Sequence, residues 1–201
     1  EKKNLLASVI YQNMEFESQQ KVAELLSYVY KSGTLKGNAK GMRSANLLDE
    51  VIDVFELSAV LDHGLMSLSK GEIQRVLLAF SLLYGSSSVF MDEPLFAMEP
   101  RQKESSLAYL KEFSAQTGTS LFISMHELDL SRKYAEKVLL FYPNRDMDYG
   151  TPEEVMTNAD LEKAYGVPVT MLKNGEDMTR AELQQTSDAI LQMQHTNIQK
   201  Q

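Results

Sequence analysis

The stretch LSKGEIQRVLLAFSLLYGSSSVFMDEPLFAME, from Leu68 to Glu99, decides the fold. A glycine-bearing turn, Leu68 to Glu72, opens an apolar run whose spacing predicts a helix over 71–84. Gly85 and the serines at 86–88 end it. Val89-Phe90-Met91 is too short for a helix and reads as a buried strand, and it runs straight into Asp92-Glu93-Pro94. Neither carboxylate can be packed unpaired without a large desolvation cost, so the pair must face solvent, a cation or a ligand. Two acids at an ordinary strand exit would satisfy the same physics. The apolar strand before them and the proline after them favour a site.

Working outward, Leu5 to Tyr11 reads as another short buried strand, closed by Gln12-Asn13. Residues 14–31 carry Val22, Leu25, Leu26 and Val29 at helical spacing, and Lys31 to Gly41 reads as a polar loop. Leu47, Leu48, Val51, Ile52 and Phe55 predict a helix from Leu47 to Leu61, broken by Gly64. Downstream, a helix is predicted over 100–115, stopped by Gly118, then a buried strand at Leu121-Phe122-Ile123 leading to Ser124-Met125-His126. A helix at 129–136, a strand from Val138 to Phe141 and a turn at Pro143-Asn144 follow. Thr151 with Glu154, and Thr179 with Glu182, have the spacing of helix-capping boxes. Short apolar strands alternating with helices imply an α/β fold with a parallel sheet covered on both faces. Residues 14–67 interrupt the alternation and read as an inserted helical subdomain. The domain boundaries expected are thus 1–13 and 68–170 for the core, 14–67 for the insert and 171–201 for a tail with a helix.

The 201 residues suit one domain or slightly more, and 43% apolar composition supports a packed core. With no cysteine, disulfides and thiolate metal sites are excluded. A net charge of −8 argues against broad contact with nucleic acid or anionic lipid. No run approaches the roughly 20 apolar residues that span a bilayer.

Three further features could carry chemistry. The helix start after Gly71 offers free backbone N–H groups and a positive dipole end to an anion such as phosphate, with the Ser69 hydroxyl beside it. His126 ends an apolar strand, where a single histidine is most often structural. Gln12 also ends a strand, and alone carries no message.

Taken together and in this order, these features resemble the ATP-binding cassette (ABC) ATPases. Gln12 corresponds to the Q-loop glutamine, and Leu68, Ser69, Lys70, Gly71 and Glu72 to the signature turn, usually Leu-Ser-Gly-Gly-Gln. Asp92 and Glu93 correspond to the Walker B aspartate and the catalytic glutamate, Ala97-Met98-Glu99 to the D-loop, and His126 to the switch histidine. The match runs over roughly 5–170. Lys70, Phe96, Glu99 and Glu127 depart from the usual residues, and no GxxxxGK[ST] phosphate-binding loop occurs in the 201 residues.

The resemblance implies a partial P-loop NTPase (RecA-like) sheet flanked by helices, present as a C-terminal fragment inactive by itself. In the intact protein, ATP and Mg²⁺ are the implied cofactors. Asp92 and Gln12 would serve the metal, Glu93 and His126 catalysis, and Ser69, Gly71, Glu72 and Gln12 the nucleotide. The implied partners are a second ATPase subunit, head to tail, and transmembrane permease subunits, without nucleic acid. The implied place is cytoplasmic, on the inner face of the membrane. Gly150-Thr151-Pro152-Glu153-Glu154-Val155, with Leu161 and Tyr165-Gly166-Val167, resembles the ends of iron-siderophore, haem and cobalamin importer subunits. A non-catalytic interaction module and a non-transport ABC ATPase stay open as alternatives.

Overall fold

The structure, a computed structural model, describes residues 7–11, 14, 18–36 and 46–172, with the backbone alone at 33–36. Gln12, Leu5 and the Thr179/Glu182 box lie outside the described residues. The chain divides into two units, 1–130 and 131–201.

In the first unit, β1 (Ala7–Ile10), β2 (Ser88–Asp92) and β3 (Ser120–Ser124) form a parallel sheet in the order β1-β2-β3. The parallel arrangement agrees with the sequence reading; its sidedness does not. Ile10, Val89 and Met91 are buried on one face. On the other, Val9, Phe90 and Phe122 stand in one register row and are 46%, 41% and 51% exposed. The rings of Phe90 and Phe122 stack with centroids 4.6 Å apart. The sheet is therefore not covered on both faces by the described residues, and the strand at 121–123 is half-exposed rather than buried. Apolar composition makes a strand without saying what covers it.

The helical part is a small bundle. α1 (Val22–Lys36) and α2 (Leu47–Val54) pack with α3 (Lys70–Tyr84) through Val22, Leu26, Leu47, Val51, Val76 and Leu78. α1 runs through the segment expected to be a loop from Lys31, because Gly33 costs a helix about 1 kcal/mol without forbidding it. α2 stops at Val54 rather than Leu61. Glu56 takes φ +51° and the Leu57 N–H bonds back to the Ile52 carbonyl at 2.9 Å, a closure that ends a helix. Phe55, Leu57, Val60 and Leu65 are buried, so the turn delivers its apolar side chains to the core.

α3 ends at Gly85, φ +81°, and α4 (Pro100–Thr117) at Gly118, φ +70°, as the glycines predicted. Leu107, Leu110 and Phe113 of α4 are buried. α5 covers Leu128–Tyr134.

In the second unit, β4 (Val138–Phe141) pairs antiparallel with β5 (Met147–Gly150), a strand the sequence reading did not include. β4 is the strand expected at Val138 to Phe141, and Leu139, Phe141, Met147 and Tyr149 of this hairpin are exposed. α6 (Pro152–Val155) and α7 (Asn158–Tyr165) follow. The Thr151 N–H donates to Glu154 Oε2 at 2.7 Å, as the capping spacing predicted. No helix among the described residues is long and apolar enough to cross a membrane.

Candidate functional site

Parallel strands end on the same side of a sheet, and this places the acids. Asp92 closes β2 opposite Ser124, which closes β3. Both continue the outward row of Phe90 and Phe122, since side chains alternate along a strand. The Ser124 hydroxyl donates to Asp92 Oδ1 at 2.6 Å and accepts from the Glu93 N–H at 3.1 Å. The Ser124 carbonyl accepts from that same N–H at 3.2 Å. One serine thus bonds the Asp92 carboxylate and the Glu93 backbone N–H.

Beyond the sheet end the chain turns sharply. Glu93 has φ +45°, an uncommon conformation for a residue with a side chain. Its carboxylate Oε1 lies 2.5 Å from His126 Nε2. The Glu93 side chain is mostly buried, whereas the imidazole is largely exposed and can swing away. The structure therefore brings Asp92, Glu93 and His126 to one sheet edge, as expected from strands that end together.

The Glu93 to Glu99 segment is anchored by buried Leu95 and Met98, and leaves Phe96 and Ala97 exposed between them. Ala97 also has positive φ, +61°. Its carbonyl oxygen would lie 2.6 Å from a Cβ placed on Gly71. The glycine of the signature-like turn is thus required by contact with the D-loop-like segment, whatever its use toward a ligand.

Ser69 caps α3. Its hydroxyl accepts from the Glu72 N–H at 3.4 Å, and Glu72 Oε2 accepts from the Ser69 N–H at 2.7 Å. Partial burial pushes the Glu72 carboxyl up, but the hydrogen bonds with Ser69, aided by Arg75 and His63, outweigh this and hold it below the ordinary glutamate value. Glu72 is spent on the capping box, so the helix start keeps a hydroxyl and the Gly71 backbone as its outward groups. Arg75, one turn on, donates to the carbonyls of Phe55 and Glu56 at 3.0 and 2.8 Å, ending α2.

Among the described residues no group of three or more His, Asp or Glu could hold a metal ion. A lone strand-end carboxylate beside a hydroxyl is instead the donor set of a magnesium ion that keeps its waters and arrives with substrate phosphates. The site fits that ion and not a protein cage.

Sequence reasoning missed Ser124, whose signal was a hydroxyl at the end of the strand next to that of Asp92.

No family model matches the chain. The hemin import ATP-binding protein HmuV of Pseudomonas aeruginosa is 28% identical over 149 residues, 72% of this chain and 58% of that protein. The methionine import ATP-binding protein MetN of Corynebacterium jeikeium is 27% identical over 186 residues, 91% of this chain and 49% of its own. The chain thus spans about half the length of the curated relatives it matches. Among solved structures, a metal-chelate type ABC transporter in an inward-facing conformation matches 81% of this chain and 64% of its own, with TM-score 0.60 and 17% identity. The dimeric post-hydrolysis state of the ATP-binding cassette MJ0796 matches 67% and 57%, with TM-score 0.51 and 21% identity. These likenesses establish the fold, that of the ABC ATPase domain.

Proposed function

We infer, for a chain whose homologues are ABC transporter ATP-binding proteins, that it supplies the signature, Walker B and switch-histidine portion of an ATPase that powers an importer. The observation that carries this reading is the meeting of Asp92, Glu93, Ser124 and His126 at the end of two neighbouring parallel strands.

In the intact protein the reaction is ATP and water to ADP and phosphate. Asp92 and Gln12 would hold a magnesium ion beside the phosphates, and that ion would supply positive charge to offset the charge of the transferring group. Glu93 accepts a hydrogen bond from the attacking water and orients it. His126 leaves Glu93 to meet the γ-phosphate, a move its exposure permits. Ser69 and the Gly71 backbone meet the γ-phosphate held by a second subunit, so the working unit is a head-to-tail dimer. Positioning and electrostatics carry the rate in such sites. The helical subdomain, 14–67, docks a permease on the cytoplasmic side of the membrane. Importer relatives named for hemin and methionine favour a nutrient cargo, of the iron-chelate kind by the carboxy-terminal resemblance.

Among the described residues no strand pairs with the outer edge of β3, and this edge, with the row Val9, Phe90 and Phe122, supports a further part of this reading. A strand and helix carrying the phosphate-binding loop complete the sheet there. The 201-residue chain by itself then binds ATP weakly and does not turn it over. Calorimetry with Mg-ATP tests this: the chain alone gives no micromolar binding and the intact subunit does. Micromolar binding by the chain alone would refute the need for the missing loop.

A further inference from the structure

Two neighbouring side chains in the first turn of α4 reach in different directions. Gln102 uses both ends of its amide. Its Oε1 accepts from the Glu99 N–H at 3.3 Å, and its Nε2 donates to Glu56 Oε2 at 2.7 Å. Glu56 is the left-handed residue that ends α2, and its carboxylate lies 3.9 Å from Arg75 of α3. Lys103, the next residue, donates to Glu127 Oε1. Glu127 immediately follows His126. The Lys103 and Glu127 side chains are only 15% and 23% exposed, so solvent screens this pair less than it screens a surface pair.

We propose that Gln102 and Lys103 are positioning residues that couple the helical bundle to His126. Successive residues on a helix diverge by about 100°, so a single rigid turn can hold two different elements at once. Here it holds the end of α2 through Glu56 and the segment carrying His126 through Glu127. The same turn begins directly after Ala97 and Glu99, the segment that packs on Gly71. A displacement of the bundle that drags Glu56 tilts the start of α4, and Lys103 carries the tilt to the residue beside the histidine. His126 then moves on or off Glu93. The two links differ in strength. The Gln102–Glu56 bond is solvent-exposed and easily remade. The Lys103–Glu127 pair is shielded, and losing the ammonium removes a charge partner from a largely buried carboxylate.

The contacts are the chain's own; their consequence for catalysis rests on the ATPase reading. The test separates the two. In the 201-residue chain, the imidazole NMR signals of His126 are assigned by their loss in His126→Gln. Lys103→Met, and the remote Gln102→Leu and Glu56→Ala, shift those signals, while Lys103→Arg restores them. Should Lys103→Met fail to fold, Glu127→Gln and the charge-exchanged pair Lys103→Glu with Glu127→Lys give the same reading. Unmoved His126 signals in Gln102→Leu and Glu56→Ala overturn the coupling. In the intact subunit, Lys103→Met lowers kcat on the order of tenfold with KM for ATP unchanged, and Lys103→Arg recovers it. An intact wild-type subunit that hydrolyses no ATP would sink the ATPase reading and leave the NMR coupling standing. An active subunit whose kcat ignores Lys103→Met would sink the coupling to catalysis.

Discussion

Gly71 and Ala97 are in contact at a distance that admits no side chain: a Cβ on Gly71 would stand 2.6 Å from the Ala97 carbonyl oxygen. The obstructing atom belongs to a backbone held at φ +61° between buried Leu95 and Met98, so it cannot step aside cheaply. Gly71→Ala therefore destabilises the chain by about 1–3 kcal/mol in urea unfolding. Ala97→Gly relieves a left-handed alanine but loosens the unfolded chain, and the two effects nearly cancel, leaving a change below about 1 kcal/mol. A neutral Gly71→Ala would mean that the two segments do not touch.

The capping box at Ser69 and Glu72 gives a pH signature. The folded Glu72 carboxyl sits below its ordinary value of 4.5. A depressed carboxyl adds stability that is present above the unfolded pKa and lost as pH falls through the folded one. The stability gap between wild type and Glu72→Gln is thus constant from about pH 6 to 8, at or below about 1 kcal/mol, and closes below about pH 4.5. A gap that widens in acid would contradict the hydrogen-bond arrangement.

A single Ser124 hydroxyl bonds the Asp92 carboxylate and the Glu93 backbone. Ser124→Ala removes the donor to Asp92 and one of two acceptors for the Glu93 N–H. The expected cost is about 0.5–1.5 kcal/mol by denaturant titration. Ser120→Ala, at the exposed start of the same strand, costs less than about 0.5 kcal/mol. Equal losses would remove Ser124 from the site.

The two faces of the sheet respond differently to truncation. Met91→Ala, on the buried face, costs about 2–5 kcal/mol. Phe122→Thr, in the exposed row, costs less than about 1 kcal/mol and reduces binding of an apolar dye. A loss above 2 kcal/mol for Phe122→Thr would mean that this row is covered in the chain alone.

What the sequence made legible follows its strongest signals. Gly85 and Gly118 end their helices in left-handed turns, as glycines do, and Leu107, Leu110 and Phe113 are buried along the helix predicted over 100–115. The ABC ATPase fold followed from the resemblance carried by the ordered motifs, and the placing of Asp92 and His126 at one sheet edge from strands that end together. Other features left no local mark. Glu56 and Arg145 turn the chain at positive φ without being glycine, so the early end of α2 and the β4–β5 hairpin were not foreseen. Val9, Phe90 and Phe122 read as core because composition records apolarity and not cover. The reach of Gln102 to Glu56 and of Lys103 to Glu127 joins residues far apart in the chain, which no periodicity encodes. Gln12 lies outside the described residues, and its role stays a proposal.

The central claim is that Glu93 orients the water in a two-subunit ATPase site. The most direct measurement compares the intact wild-type subunit with Glu93→Gln, recording ATP turnover and, by gel filtration with ATP and magnesium, the oligomeric state. The amide keeps the shape of the side chain and loses the charge that orients water. The account predicts that Glu93→Gln binds ATP like wild type, accumulates as an ATP-dependent dimer and hydrolyses almost none. A variant that turns ATP over near the wild-type rate would contradict it and return Glu93 to an ordinary acid at a strand exit.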